Sequence, residues 1–410
     1  MESSTTLSTG SRTDNKRNLI ESCGSGIINV DIKVDAFPAP HEQRNADLEH
    51  LTKPELRARL NGEVLTKEAI KNVLPEGFSI VSATPFGYSI WSSTTKLIAR
   101  DLKASGTMKT FFVKIACGET GRVMLLGEFE SSKIIYDLMA DFIPKPLKNG
   151  KIEKVDIATY FYTSEFVDFD TTTTRDPSEF CKRLAEMHRK SQTLSDKFGF
   201  GVTTCDGDRP HMVEWESDWA VFYRKLFPHT LGLDFKRNGT WLEYERAAHR
   251  VAEFVIPQLL EGLTWEGQPI KPSLIHGDLW EGNTGINKKT NLPMLFDAGS
   301  YFAHNEMELG HWACEFAAIF GNKEYMNQYL EFFPKAEPAE KFEDRIRLYS
   351  LKGGMNYSSG HPGSRLRISA YNSMLYLCEK YAPIDGIGKY DKSIDPIETG
   401  ARIVSHEEIK

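Results

Sequence analysis

The sequence predicts an α+β fold in two lobes, a small β-rich amino-terminal lobe and a larger, mainly helical carboxy-terminal lobe. Three observations predict it. The chain has 410 residues, enough for two domains or one large two-lobed unit. Residues 78–116 are rich in β-branched and aromatic side chains, as in "FSIVSATPFGYSIWSSTTKLIARD". Beyond residue 176 the apolar residues recur at helical spacing instead. A strand-rich half followed by a helix-rich half places a cleft between them, where ligands commonly bind.

Taken in order, residues 1–35 read as a flexible Ser/Thr/Gly-rich tail. Residues 36–167 read as the amino-terminal lobe, a helical extension followed by a nucleotide-binding sheet. The extension begins with "LTKPELRARL", where Thr52 and Glu55 have capping-box spacing and Pro54 suits a first turn. A second short helix is expected from Thr66. "KTFFVKIA" predicts a strand over Thr110 to Ala116 with Lys114 inside it. "RVMLLGEFESSKIIYDLM" then predicts a helix whose inward stripe is Val123, Leu126, Phe129, Ile134 and Leu138. "DIATYFYTSEFVDFD" predicts another strand, ending at a run of four Thr, Thr171 to Thr174. Residues 168–410 form the helical lobe carrying the catalytic loop. Its first helix has Asp176 as cap, Pro177 at the first position, and Phe180, Leu184, Met187 and Ser191 facing inward. "WLEYERAAHRVAEFVIPQLLEGL" predicts a second, continuous helix. No internal repeat is visible.

Composition narrows the function classes. A formal charge of -7 argues against nucleic acid as a partner, because such domains carry a basic face. No apolar run approaches the roughly 20 residues that span a bilayer, so no membrane partner is expected. Cys23, Cys117, Cys181, Cys205, Cys314 and Cys378 are scattered, without metal-ligand spacing, and read as free thiols in a reducing compartment. The first residues lack a secretory apolar core and include Glu2 and Asp14, so a cytoplasmic location is expected. Oligomeric state is not legible.

The chemistry lies in "SLIHGDLWEGNTGI", Ser273 to Ile286, and in the Asp after "MLF". Phosphoryl transfer requires a carboxylate to orient and deprotonate the attacking hydroxyl, and oxygen ligands for Mg²⁺ on the phosphates. In the H-x-D-x-x-x-x-N spacing, Asp278 is the candidate base and Asn283 a candidate metal ligand. Asp297 supplies the metal carboxylate. A hairpin turning at "NKKTNLP" would bring Asn283 and Asp297 together. The bland reading is that such residues merely cap turns, but Asp297 beyond an apolar strand and a strand Lys upstream make coincidence improbable. A charged side chain in an apolar strand is costly unless paired. Lys114 is therefore read as holding the α/β-phosphates of ATP and pairing with a helix carboxylate, Glu128 in preference to Glu130, although an edge-strand Lys facing solvent is the plain alternative. The phosphate loop is weakly marked: "TPFGYSIWSSTT" has one glycine, Gly87, with Ser89, Ser92 and Ser93 as possible phosphate contacts.

With these residues in view, "LIHGDLWEGN" followed by "FDAGSYFAHNEMELG" resembles the fructosamine-3-kinase (ketosamine-3-kinase) family, relatives of aminoglycoside and choline kinases. "RLAEMHRKS" with "FGFGVTTCDGD", "WESDWAVFYRKLF" and "LYSLKGGMNYSSGHPGSRLR" resemble further family segments, over roughly residues 66 to 385. The resemblance implies a protein-kinase-like fold, ATP and Mg²⁺ as cofactors, and phosphorylation of the sugar 3-hydroxyl on ribulosamine or fructosamine adducts of free amines or protein lysines. The phosphorylated adduct then breaks down, which makes the activity a deglycation repair. The resemblance also implies that Ser164, Glu165, Phe166 and Val167 form the hinge at adenine, and that Trp280, with His304, lines the sugar-amine pocket. Ala298 stands where the family usually has Pro after the metal Asp. Tyr88 stands where some relatives carry a redox-active Cys. A small-molecule kinase acting on another hydroxyl compound is the alternative.

Overall fold

The computed structural model describes residues 70–402, apart from Tyr88, Ile90, Ser105, Lys154 and Asp156. The expected tail, the two amino-terminal helices, Cys23 and Tyr88 lie outside the described residues.

The amino-terminal lobe is a five-stranded antiparallel sheet. Its strands are β1 (Phe78–Pro85), β2 (Ser93–Asp101), β3 (Met108–Cys117), β4 (Pro146–Ile152) and β5 (Thr159–Glu165), in the spatial order β1-β2-β3-β5-β4. Helix α1 (Gly118–Leu138) follows β3 and packs on the sheet. Period-two alternation in β3 explains the position of Lys114. Phe111, Val113 and Ile115 pack into one core with Val73, Leu74, Leu97 and Phe161. Ala116, two residues beyond Lys114 and so on the same face, packs against Leu125 of α1 and Tyr162 of β5. A strand Lys facing solvent is thereby replaced by one directed at a helix.

The buried face of α1 differs from the expected stripe. Leu125, Glu128, Ser131, Ser132 and Ile135 are buried, whereas Val123, Leu126, Phe129, Ile134 and Leu138 are only half-buried. An apolar pattern cannot reveal a face whose polar residues are paired internally. Ser131 Oγ donates to the Gly127 carbonyl at 2.7 Å and accepts from Ser300 N–H at 3.0 Å.

The carboxy-terminal lobe is mainly helical. Helix α2 (Pro177–Ser191) begins where Asp176 accepts a hydrogen bond from Glu179 N–H at 2.8 Å, and Phe180, Leu184, Met187 and Ser191 are all fully buried. Helix α3 (Trp219–Asn238) is capped by Asp218. Helix α4 (Leu242–Arg250) does not run straight through to Leu260: Val251–Val255 form a π-turn before Ile256–Leu260. The cause is Pro257, which lacks an N–H and crowds the preceding turn, so the helix widens just before it. Helices α5 (Lys323–Phe332), α6 (Phe342–Gly360) and α7 (Leu366–Tyr381) complete the lobe, with α6 packed against both α3 and α7.

Two short antiparallel pairs carry the functional loops. Ser273–Ile275 pairs with Tyr301–Ala303. Thr284–Asn287 pairs with Pro293–Leu295, the hairpin expected from "NKKTNLP", and its first step is fixed by Phe296 N–H donating to the Asn283 carbonyl at 3.0 Å.

Candidate active site

Lys114 is the meeting point of the two lobes. Its ammonium donates to Glu128 Oε2 at 2.8 Å and to Asp297 Oδ1 at 2.6 Å. Burial opposes the charge on Lys114, but Asp297 and Glu128 outweigh it and raise its pKa. Burial pushes Glu128 up to about 7, with Lys114 pulling the other way. Of the two glutamates considered, Glu128 is the partner.

The loop from His276 to Asn283 is held from behind by buried polar groups. His276 Nε2 donates to the Phe296 carbonyl at 2.9 Å, while its Nδ1 faces Asp278 N–H at 3.3 Å. Burial holds the His276 pKa down, which favours the neutral ring this pattern needs. Glu308 accepts from the backbone N–H groups of both His276 and Gly277. Gly277 has φ +85°, and a Cβ there would lie 2.2 Å from the Gly299 carbonyl oxygen, so only glycine lets the two loops approach. Asn283 Nδ2 donates to the Asp278 carboxylate at 2.9 Å and to its carbonyl at 2.8 Å, tying the H-x-D-x-x-x-x-N loop into one ring. Asp278 lines the cleft with its carboxyl held well above the usual range, first by burial and then by Asp206. Asp297 has φ +58°, a left-handed conformation costly for a non-glycine residue and of the kind concentrated at functional sites.

Two adjoining cavities share Lys114, Glu128, Trp280 and Asp297. The first, about 610 Å³, runs under the β1–β2 turn and along Ser164, Glu165, Phe166 and Val167, with Phe86, Ile143, Tyr162 and Phe296 as apolar walls. Phe86 stacks edge-on against Phe166, centroids 5.0 Å apart, which closes the outer end. Ser89 accepts from Trp91 and Ser92 N–H at 3.2 Å and so shapes the turn, while Ser93 pairs with Ile115 at the start of β2. The second cavity, about 630 Å³, contains Asp278, Asp206, Arg209, Trp280, Tyr357 and His361.

Trp280 forms a half-buried wall of both cavities. Its ring lies where a Cβ on Gly282 would come within 2.4 Å, so Gly282 makes room for the indole. His304 is not at the cleft. It is fully buried, with Nδ1 2.9 Å from the Tyr349 hydroxyl and its ring packed on Trp219. The reason is its place just past the Tyr301–Ala303 strand, which runs through the lobe core.

Sequence reasoning missed Asp206. The two-residue ladder Cys205–Asp206 with Arg209–Pro210 brings it to the cavity. Asp206 Oδ2 accepts from Asn356 at 2.9 Å and Lys352 at 3.3 Å, and Oδ1 from Arg209 at 3.3 Å. Burial opposes its charge, but Lys352 and its other donors hold the carboxyl well below the usual range. Lys352 also donates to the Gly277 carbonyl at 2.7 Å, linking α6 to the loop from His276 to Asn283. The available signals were the D-G-D-R turn and a lone Lys among the small and apolar residues of "LYSLKGGMN".

The family model for fructosamine kinase matches residues 88–374. The chain belongs to the fructosamine kinase family. It is 34% identical to a chloroplastic protein-ribulosamine 3-kinase of Oryza sativa subsp. japonica over 266 residues, 63% of this chain and 71% of that relative. It is 29% identical to the ketosamine-3-kinase of Mus musculus over 282 residues, 63% of this chain and 86% of that relative. The fold agrees with a crystal structure from Thermobifida fusca YX-ER1 assigned as a fructosamine-3-kinase, at TM-score 0.57 and 19% identity, covering 77% of this chain and 98% of that one. A Haemophilus somnus 129PT structure with the same assignment gives TM-score 0.57 at 18% identity, covering 76% and 97%. The kinase-like fold of this fructosamine kinase family member is thus shared at low sequence identity. Among the described residues, no helix is long and apolar enough to cross a membrane.

Proposed function

We propose that this chain transfers the γ-phosphoryl group of ATP to the sugar 3-hydroxyl of ketosamines, the ribulosamine or fructosamine adducts of amines or protein lysines. The observation that carries the reading is the convergence of Asp278, Asn283, Asp297 and Lys114 where a nucleotide-sized cavity meets a second cavity. Asp278 accepts the proton of the acceptor hydroxyl, whose oxygen attacks the γ-phosphorus as the bond to the β-phosphate oxygen breaks and ADP leaves. Lys114 holds the α/β-phosphates, positioned by Glu128, and the Ser164–Val167 backbone meets adenine beneath Phe86. Trp280 walls the sugar-amine.

The donors near the phosphates suit Mg²⁺. Asp297 is a carboxylate facing the cleft, and Asn283 Oδ1 accepts no hydrogen bond among the described residues, so both offer hard oxygen ligands. The cation supplies charge neutralisation on the phosphates when bound. Asp297→Ala should raise the Mg²⁺ concentration needed for half-maximal rate and lower kcat, whereas Asn283→Ala should do so less. Overlaying Mg²⁺ titrations of the Asp297 variant and wild type would remove Asp297 from the metal role.

Cys181, Cys205, Cys314 and Cys378 are free thiols, in keeping with a reducing compartment. The rice relative is chloroplastic, and a cytosolic site for this chain is part of the proposal. The deciding assay is ATP consumption with fructoselysine and ribuloselysine against choline and an aminoglycoside. Turnover confined to the ketosamines is the expected result. Turnover confined to either of the others would move the chain's substrate to another class of alcohol.

A further inference from the structure

The turn from β1 into β2 faces both cavities, and its residues divide between them. Of the two cavities, Phe86, Gly87 and Thr94 line the nucleotide-sized one, and Ser89 lines both. Trp91 and Ser92 line only the second, the one that contains Asp278. Ser89 Oγ accepts from the Trp91 N–H at 3.2 Å and lies 3.0 Å from the Ser92 hydroxyl, which fixes the backbone that presents the indole. The transfer step as described above gives Trp91 no role.

Although it belongs to the amino-terminal lobe, Trp91 is seated on the other one. The Arg209 guanidinium lies 4.7 Å from the centre of its ring. Arg209 is itself buried and held by Asp206 at 3.3 Å, so the cation is fixed against the indole. Such a contact is stronger when the cation is withdrawn from water. Gly207 has φ +60°, and a Cβ there would lie 2.8 Å from Trp91 Nε1, so this glycine makes room for the ring. His361, just past the end of α6, meets the ring edge-on at 6.5 Å. These contacts hold the turn over the second cavity.

Trp91 also completes a row of rings lining that cavity. His361 stacks on Tyr357 at 4.3 Å, Tyr357 stacks on Phe316 at 5.4 Å, and Phe316 meets Trp280 edge-on at 6.4 Å. The same cavity presents the polar side chains of Asp206, Asp278 and Asn283. A ketosamine has a matching two-part character, a sugar covered in hydroxyls and an amine with its own carbon skeleton. We propose that Trp91 is a specificity-determining residue for the acceptor, walling a subsite that takes the carbon skeleton of the amine while the sugar meets the polar groups. This rests on the ketosamine reading above. Aromatic faces and edges pair best with other rings, so the adducts selected are those whose amine carries an aromatic group.

The test compares two acceptors with one sugar, the fructosamine adducts of methylamine and of phenethylamine, in wild type, Trp91→Phe and Trp91→Ala. Wild-type enzyme should prefer the phenethyl adduct in kcat/KM by about tenfold or more, the scale on which an apolar pocket discriminates. Trp91→Ala should shrink that preference by about two- to tenfold, the worth of one aromatic contact, through KM for the phenethyl adduct. Trp91→Phe should keep most of it. Equal losses on both acceptors in the alanine variant, or a raised KM for ATP with the acceptor preference unchanged, would make Trp91 only a support of the turn and overturn the assignment. The wild-type comparison stands even if the alanine variant folds poorly: phosphorylation of both adducts without preference also overturns the subsite, while leaving the ketosamine kinase reading intact. Failure to phosphorylate any ketosamine would sink that reading and this one together.

Discussion

Asp278→Asn should lower kcat by about 10²–10⁴-fold, the usual contribution of a positioned general base, while ATP affinity stays close to wild type. The amide cannot take the hydroxyl proton. It can still occupy the same space and meet the Asn283 side chain, which now donates 2.9 Å to the carboxylate. The loop is also held through other groups: Glu308 on the His276 and Gly277 N–H groups, His276 on the Phe296 carbonyl, and Lys352 on the Gly277 carbonyl. Loss of turnover without loss of fold or nucleotide binding is therefore the signature. Wild-type enzyme should show the same group in its pH profile. Burial and Asp206 hold the Asp278 carboxyl well above the ordinary range, so the base is lost by protonation as pH falls through that raised value. The acid limb of kcat/KM should accordingly lie above the pH at which an ordinary carboxylate titrates. A variant retaining more than about a tenth of wild-type kcat would exclude Asp278 as the base.

The parts of this site that were legible in the sequence are those fixed by local spacing. His276 through Asn283 form one loop, and Asp297 follows through a hairpin of determinate length, so linear distance translates directly into proximity. Lys114 was legible because a charge in an apolar strand demands a partner. Asp206 and Lys352 were not, because their pairing joins residues 146 apart, and neither strand nor helix periodicity marks such a contact. The same limit misplaced the inward face of α1, whose buried Glu128, Ser131 and Ser132 look like surface residues until their partners are known. His304 was misplaced for the converse reason: a His near catalytic motifs looks functional, yet Tyr349 and Trp219 enclose it in the core. The π-turn at Val251–Val255 was signalled by Pro257, a cue that an apolar helical pattern overrides.

Lys114→Met should cost both catalysis and stability, and the stability cost should depend on pH in a direction the structure dictates. The substitution removes the ammonium that bridges Glu128 and Asp297, leaving Glu128 buried beside another carboxylate. Removing one partner of a buried pair costs about 3–5 kcal/mol when the other must stay charged. Glu128 has an escape, because protonation relieves the penalty. Its carboxyl stands at about 7 with Lys114 present, and losing the lysine's pull moves it higher. An acid whose pKa is raised in the folded state binds more protons folded than unfolded, so stability falls as pH rises between the two values. For the variant that window opens near the ordinary glutamate range and extends beyond neutrality. The Tm difference between wild type and Lys114→Met should therefore be small at pH 6 and widen by pH 9. Adding Glu128→Gln should remove the pH dependence and recover part of the Tm, but not the activity, since the phosphate contact is still missing. A Tm difference that stays flat across that range, or a double variant no more stable than the single one at pH 9, would mean that Lys114 does not hold Glu128 in its charged state.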